Sequence, residues 1–574
     1  MPSPPARDPL RPLAALSLAV ALVVPLVSFA CLFPLVENMP TWDQWHLVEL
    51  WSAHYEGRPV LPLLLKPYNG HMNLVPRLLF YGMGVLSHWD VRLDIVASYI
   101  TACGTLALLL RMLARRGAQG LLLAAPASAQ VFCFLQNENF LSGYPLGQNL
   151  SQLFSTLTIY LLTLPRLGTA VFLGAVASTL AATFSWGAGL AGWYVGLVAL
   201  LLRPDRSVRR TGVWLVLTLL ATVAVKVGAG GSFGAVAWKQ VPLFFSVLLG
   251  GAATPLPFPS VRLAIYLGAA LLLLFGILAV WTWRRFCPEG LPWLLLGLSA
   301  LASAGLIALG RAITGLQQAL ASHYVTATYP LVLACAVLAF FLLWGAAGHA
   351  RLRIAWQALA LAVVAVPLLQ SAAASYRALP VLRGWSETIH RNAVAIARGT
   401  ATDQDIRTSH HPEPSLVRGG IAIMREHQLS WFHQMDEEGP PWGRVERLAG
   451  QTVDPESATV AIDEPWQVEG WAVRSREHGG EVKGVYLFLD GQRIASAQLD
   501  LPRRDVAEYF GSSRFLPSGW LISVPPSAVP EGIHRLWIAA ADYNDGLFTL
   551  LEARLVARRA AAGEVKAERR TGTR

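Results

Sequence analysis

TWDQWHLVELWSAHYEGRPVLPLLLKPYNGHMNLVPR, residues 41–77, is a polar, aromatic-rich stretch set between two hydrophobic segments. It carries Asp43, His46, Glu49, His54, Glu56, Arg58, Lys66, Asn69, His71 and Arg77, groups that the first few hundred residues otherwise largely avoid. Pro40 disfavours helix at Met39. Thr41 and Gln44 have the spacing of a capping box, the threonine capping and the glutamine reaching back. This predicts a helix over 42–55, stopped by Gly57 and Pro59. On an α-helix Asp43, Leu47, Leu50 and His54 share one face, and Trp42, Trp45 and Trp51 suit a membrane–water interface. The plainer reading of Asp43 is that it only favours the helix N-terminus electrostatically.

The rest of the chain says what anchors this loop. Of 574 residues 54% are hydrophobic and 14% charged, with mean hydropathy +0.44. A soluble domain averages about 25% charged, so the composition indicates a polytopic membrane protein with an appended domain. Apolar runs predict about eleven transmembrane helices, at 12–36, 91–113, 118–135, 149–164, 167–184, 187–202, 211–228, 262–283, 291–310, 328–347 and 354–370. The first reads as a retained anchor, because it is long for a signal peptide and lacks a small-x-small cleavage site. Pieces at 74–87 and 241–252 are too short to span alone and read as interfacial or re-entrant. The five cysteines lie in or beside apolar segments and read as small apolar residues.

The net charge of +10 is no nucleic-acid footprint, since much of the arginine lies in short loops between apolar runs. Arg7 and Arg11, Arg111 to Arg116, Arg166, Arg203 to Arg210, Arg284 and Arg285, and Arg351 and Arg353 alternate with the eleven helices. The positive-inside rule places them in the cytoplasm. The N-terminus is then cytoplasmic, and every polar, motif-like stretch faces outward. An odd helix count puts the tail outside too. Residues 1–370 form the membrane domain. Residues 371–450 form a helical linker region, with helices near 376–399 and 415–428. From 451 the pattern alternates: Val485, Leu487 and Leu489 share a face, and Asp490-Gly491 marks a hairpin. Further strands are expected at 466–473, 519–524 and 534–540. Residues 451–556 therefore read as a small all-β sandwich, and 557–574 as a basic disordered tail.

Four clusters collect on the outer side: Asp43 with Asn69, His71 and Arg77; Gln136 to Phe140, with Glu138; Ser185-Trp186; and Arg311 with Ser322, His323 and Tyr324. Carboxylates near arginines and histidines at a bilayer surface suit a lipid-linked anionic substrate, arginine pairing with phosphate while a carboxylate handles a proton. Each has a plain alternative. Arg77 can snorkel, Glu138 can cap a helix or pair with a cation, and His71 and His323 can be satisfied interfacial histidines. Trp186 reads as packing. Asp43, His71 and Glu138 could hold a divalent metal, but no tight ligand spacing supports it.

One helix, a long outer loop opening on an acidic residue, an interfacial helix and a second span with a basic inner end resemble the C-superfamily glycosyltransferases. More narrowly, Asp43-Gln44-Trp45, Asn69-Gly70-His71 with Pro76-Arg77-Leu78-Leu79, and Gln136-Asn137-Glu138-Asn139-Phe140 resemble a group of bacterial multi-pass proteins. Gly310-Arg311 and Ser322-His323-Tyr324 fit its later motifs, His323 standing where the pattern has arginine. The resemblance covers residues 10–370. It implies a glycosyltransferase of the bacterial inner membrane that moves a sugar from a polyprenyl-phosphate donor to a surface glycan or lipid acceptor. Asp43 and Glu138 would be its catalytic carboxylates. Asn69, His71, Arg77, Gln136, Arg311, His323 and Tyr324 would bind substrate or phosphate, with Mg or Mn as an open cofactor. The tail around Gly470-Trp471-Ala472 and Gly519-Trp520 resembles an accessory β-sandwich of cell-surface glycan enzymes. The rivals are a flippase for a lipid-linked glycan, against which no internal repeat is found, and a non-catalytic scaffold.

Overall fold

The computed structural model describes residues 10–68, 71–228, 236–257, 259–284, 288–346, 353–399, 401–433, 442–452, 457–461, 463–474, 482–542 and 547–559. The chain forms two compact units, Met1–His390 and Arg391–Arg574, where the sequence suggests an edge at 370.

The first unit opens with α1 (Arg11–Leu32), α2 (Val48–Tyr55), α3 (Leu61–Leu65), α4 (Leu74–Ser87) and α5 (Arg92–Ala114). Next come α6 (Gly117–Leu121), α7 (Ala124–Val131), α8 (Glu138–Leu141), α9 (Leu146–Leu162), α10 (Thr169–Ser185), α11 (Ala191–Leu202) and α12 (Val208–Gly228). Then follow α13 (Val241–Ala253), α14 (Val261–Arg284), α15 (Leu291–Arg311), α16 (Val325–Ala346) and α17 (Arg353–Arg398). Among the described residues eight helices, not eleven, are long and apolar enough to cross a membrane. The expected spans 149–164, 167–184 and 187–202 fall short. α9 and α10 have 17 residues each, a rise of roughly 25 Å against a hydrocarbon core of about 30 Å. α9 also spends its length on Asn149, Ser151, Gln152, Ser155, Thr156 and Thr158. It satisfies part of that polarity against α10, where Ser178 Oγ donates to the Phe154 carbonyl (2.7 Å) and the Thr158 and Thr179 hydroxyls bond (3.0 Å).

Of the two readings of the piece at 241–252, interfacial or re-entrant, burial favours the second: α13 packs on α14 and α16, with Phe244, Val247 and Leu249 fully buried. Gly250 and Gly268 allow this close approach, since a side chain on either would run into the other helix's backbone. The span at 354–370 and the helix near 376–399 are one helix, α17, of 46 residues with Pro367 and Pro380 inside it. Buried Gln130 meets it at the first proline, donating to the Pro367 carbonyl (3.1 Å) and Ser371 Oγ (2.8 Å).

Polar contacts within the bundle separate into two ends. At one, Arg115 reaches Thr163, Arg203 reaches the carbonyls of Leu162 (2.6 Å) and Leu164 (2.9 Å), Arg210 reaches that of Leu167, and Arg116 pairs with Glu289 (3.1 Å). At the other, the opening of the 41–77 loop is fixed. The Thr41 hydroxyl bonds Ser142 Oγ (3.2 Å), Gln44 Nε2 donates to Asp94 Oδ2 (3.1 Å), and Asn38 Oδ1 accepts from the Val91 N–H (3.0 Å). The capping box forms as expected, Gln44 Oε1 accepting from the Thr41 N–H (3.2 Å). Trp45 and Trp51 are not interfacial: they are 0% and 1% exposed. The Trp51 ring lies over Gly84, where no side chain competes for the space, and stacks on Tyr81.

In the second unit α18 (Asp403–Ser409) and α19 (Pro414–Glu426) precede nine strands among the described residues. These are β1 (Trp442–Leu448), β2 (Gln451–Thr452), β3 (Ser457–Ala461), β4 (Trp466–Val473), β5 (Gly484–Leu489), β6 (Gln492–Ala497), β7 (Gly519–Val524), β8 (Gly532–Ala541) and β9 (Leu547–Arg558). They form a four-stranded sheet in the order β2-β1-β4-β7 and a five-stranded sheet in the order β3-β9-β8-β5-β6. Val468, Trp520 and Ile522 of the first sheet share one buried apolar cluster with Val485, Leu487 and Ile538 of the second. Asp490 (φ +51°) and Gly491 (φ +83°) make the hairpin turn, both left-handed as a two-residue connection of this kind requires. The strands begin at Trp442, ahead of the expected 451, and β9 runs through Arg558 into the segment expected to be tail. The rest of that segment, from 560, lies outside the described residues.

Gln44→Leu removes the hydrogen bond to Asp94, a carboxylate only 1% exposed. An unsatisfied buried group of this kind costs about 1–3 kcal/mol, more when charged. Thermal unfolding of purified protein in detergent is expected to show a clear fall in Tm; an unchanged Tm would mean that the bond carries no load.

Candidate functional site

The sequence predicts an α-helix at 42–55, but its first half, Trp42–Leu47, is a 3₁₀ helix, and only α2 is α-helical. With three residues per turn, side chains at i and i+3 eclipse. Asp43 therefore shares its face with His46 instead of Leu47, and both meet Tyr68. The Tyr68 hydroxyl donates to Asp43 Oδ1 (3.0 Å), and the His46 and Tyr68 rings lie 4.6 Å apart. Tyr68 is placed by a backbone bridge to His71, with N–H···O distances of 2.9 and 2.8 Å. Asn69 lies between them, outside the described residues. Tyr68 meets the edge of Tyr144 (5.7 Å), whose hydroxyl accepts from Asn73 Nδ2 (3.1 Å). Burial, and then the nearby Asp43 charge, raise the Tyr144 pKa.

A second group lies around Tyr324. Trp186 stands between His71 and Tyr324, its ring 6.4 Å from the first and 6.5 Å from the second. His71 packs against Gly187, where any side chain would collide with the imidazole. Burial, with the Arg311 charge adding to it, lowers the His71 pKa to about 4, so the ring is neutral at physiological pH. Arg311, half-buried at the end of α15, has no ion-pair partner among the described residues. Tyr324 lies within electrostatic reach of Arg311, Glu138 and Asp43. Glu138 pairs with His323 Nδ1, and its N–H donates to Ser322 Oγ (3.1 Å). Burial pushes the Glu138 carboxyl up, but the His323 charge and hydrogen bond outweigh it and the net pKa is lowered.

The remaining residues singled out from sequence are turned into the fold. Gln136 is 1% exposed; its Nε2 donates to the Gln130 carbonyl (3.0 Å) and its Oε1 accepts from Thr326 (2.6 Å). Arg77, 6% exposed, gives Nη1 to the carbonyls of Leu63 (2.8 Å) and Lys66. Asp43, His71 and Glu138 do not converge as a ligand cluster, Glu138 being taken by His323, so these three do not fit a divalent ion. Tyr68, Asn73, Tyr144 and Asp94 were not singled out from sequence. Only Asp94 carried a signal, as an ionisable residue in the first turn of an apolar span.

The depressed pKa of His71 has a signed consequence. Unfolded, the imidazole titrates near its ordinary value of about 6.5. The unfolded chain therefore binds the proton first, and stability falls as pH drops from about 6.5 towards 4. His71→Gln is expected to flatten the Tm–pH slope in this window relative to wild type, and equal slopes would show that His71 does not titrate in this way. No family model, curated protein or solved structure matches the chain.

Proposed function

We propose that this chain is an inner-membrane glycosyltransferase of the C-superfamily type, which transfers a sugar from a polyprenyl-phosphate donor to a hydroxyl or amine of a surface glycan or lipid. One juxtaposition carries the reading. Among the described residues Asp43 is a half-buried carboxylate hydrogen-bonded by Tyr68, and Arg311 is a half-buried cation without a carboxylate partner; the charges of both act on Tyr324. They occupy the end of the bundle away from the arginine-rich loops, which by the positive-inside rule is the outer end. On this reading the three short helices also cross the membrane, giving eleven crossings, a cytoplasmic N-terminus and an external, accessory β-sandwich.

In the reaction Asp43 takes the proton of the acceptor nucleophile as it attacks the anomeric carbon, and Tyr68 orients the carboxylate. The bond from the anomeric carbon to the phosphate oxygen breaks, its electron pair stays on that oxygen, and Arg311 offsets the charge that develops there. His71, being neutral, contributes at most a hydrogen bond. Glu138 with His323 forms a second acid–base pair beside Tyr324. A flippase needs charged groups along a path through the bilayer, whereas here the charged contacts lie at the two ends of the bundle.

Purified protein in nanodiscs, offered a panel of polyprenyl-phosphate sugars, is expected to release polyprenyl phosphate. Asp43→Asn is expected to slow release by about 10²-fold or more with Tm retained. A near-normal rate in that variant would remove Asp43 from the site. Binding of a donor without turnover in the wild type would favour transbilayer movement instead.

A further inference from the structure

Arg77 carries a charge that the fold encloses without neutralising. It is 6% exposed, and no carboxylate pairs with it among the described residues. A guanidinium has five N–H donors. Nη1 serves the Leu63 and Lys66 carbonyls, while Nε is buried with no partner and Nη2 has none among the described residues. The Nε–Nη2 edge is the one that grips a carboxylate or phosphate in bidentate fashion. Enclosed charges are costly unless paired, so this edge is suited to receive an anion.

The surroundings supply room for one. Arg77 lines a cleft of about 50 Å³ together with His46, Glu49, Lys66 and Tyr68, walled by leucines from the 3₁₀ turn, α2 and α3. Lys66 and Glu49 pair across it (3.0 Å) and are more than half exposed, so this edge opens to water. Two cations against one carboxylate leave the cleft net positive. Tyr68 lines it and also donates to Asp43. The Tyr324 side is different in kind, bordered by Leu135, Leu248, Leu320 and Val325, and suits an isoprenoid chain.

We propose that the Arg77 cleft is a binding site for an anionic group, phosphate or carboxylate, on the water-soluble acceptor, which it holds with the nucleophile at Asp43. The anion is the common chemistry; its assignment to the acceptor rests on the glycosyltransferase reading above. The enzyme would then select acidic acceptors over neutral ones.

The first test needs no activity. Binding of inorganic phosphate to the full-length protein in nanodiscs is measured by calorimetry for wild type, Glu49→Gln and Lys66→Gln. Both substitutions lie at exposed positions and leave the fold intact, which circular dichroism verifies. Removing the carboxylate is expected to tighten binding about two- to five-fold, and removing the lysine to weaken it by a similar factor, as expected for one partly exposed charge. A purely structural ion pair would move the two in the same direction. Absence of saturable binding, or affinities indifferent to both substitutions, overturns the cleft as an anion site. The second test compares an acidic glycan acceptor with its carboxyl-reduced form. A lower KM for the acidic form, lost in Lys66→Gln, is expected. Equal KM values overturn the acceptor assignment, while failure of every donor to turn over counts against the glycosyltransferase reading and leaves the phosphate result standing.

Discussion

The first unit depends on how one amide satisfies a buried carboxylate. Gln44 takes the Thr41 N–H on its oxygen and gives its amide hydrogen to Asp94. The same side chain closes the 3₁₀ turn that carries Asp43 and supplies the hydrogen bond that a carboxylate at 1% exposure needs. Gly143 completes the arrangement, because a Cβ there would overlap the Gln44 amide and lie 2.5 Å from the Asp94 Cβ. Three segments distant in sequence thereby fix one another, and Asp43 starts from a rigid base. Preorganisation of this kind gives a carboxylate a defined direction before any substrate arrives.

The bundle keeps its charged groups apart by kind. At one end Arg115, Arg116, Arg203 and Arg210 are held by carbonyls, hydroxyls and carboxylates of neighbouring loops: Arg203 alone serves Leu162, Leu164 and Asp205. At the other end two cations, Arg77 and Arg311, lack such carboxylate partners among the described residues. Fully paired charges lock loops, whereas cations left with open donors in half-enclosed positions are available to an anion.

Local patterns were legible in the sequence where nearest neighbours decide them. The capping box at Thr41, the ends of α4, the strand Trp466–Val473 and the turn at Asp490-Gly491 follow from residues within a few positions of one another. Tertiary partners were not. Trp45 and Trp51 look like interfacial tryptophans until Gly84 opens a slot for the second of them. The 241–252 piece is too short to span alone, and no local pattern shows that Gly250 and Gly268 let α13 lie against α14. The 354–370 and 376–399 pieces read as two helices, while the backbone continues through Pro367 and Pro380 as one. The site was half legible for the same reason. Asp43, His71, Glu138, Arg311 and His323 could be picked by chemistry. Tyr68 and Tyr144 matter through contacts that join positions 43, 68, 73 and 144, and no periodicity announces those.

Asp43 is the charge common to both halves of the site. Its electrostatic influence reaches Tyr144, which also senses Arg77, and Tyr324, which also senses Arg311 and Glu138. Among the described residues Asp43 makes no ion pair with either arginine, and its one hydrogen bond is from Tyr68. On the glycosyltransferase reading proposed above, it would work between two anionic reactants. Each arginine would hold one reactant's negative charge away from the carboxylate, lowering the repulsion that would otherwise keep an acidic acceptor and a phosphate-linked donor from meeting at Asp43. On that reading His71 supports the same division by staying neutral: burial, with the Arg311 charge, denies it a charge that would make the cationic side depend on pH.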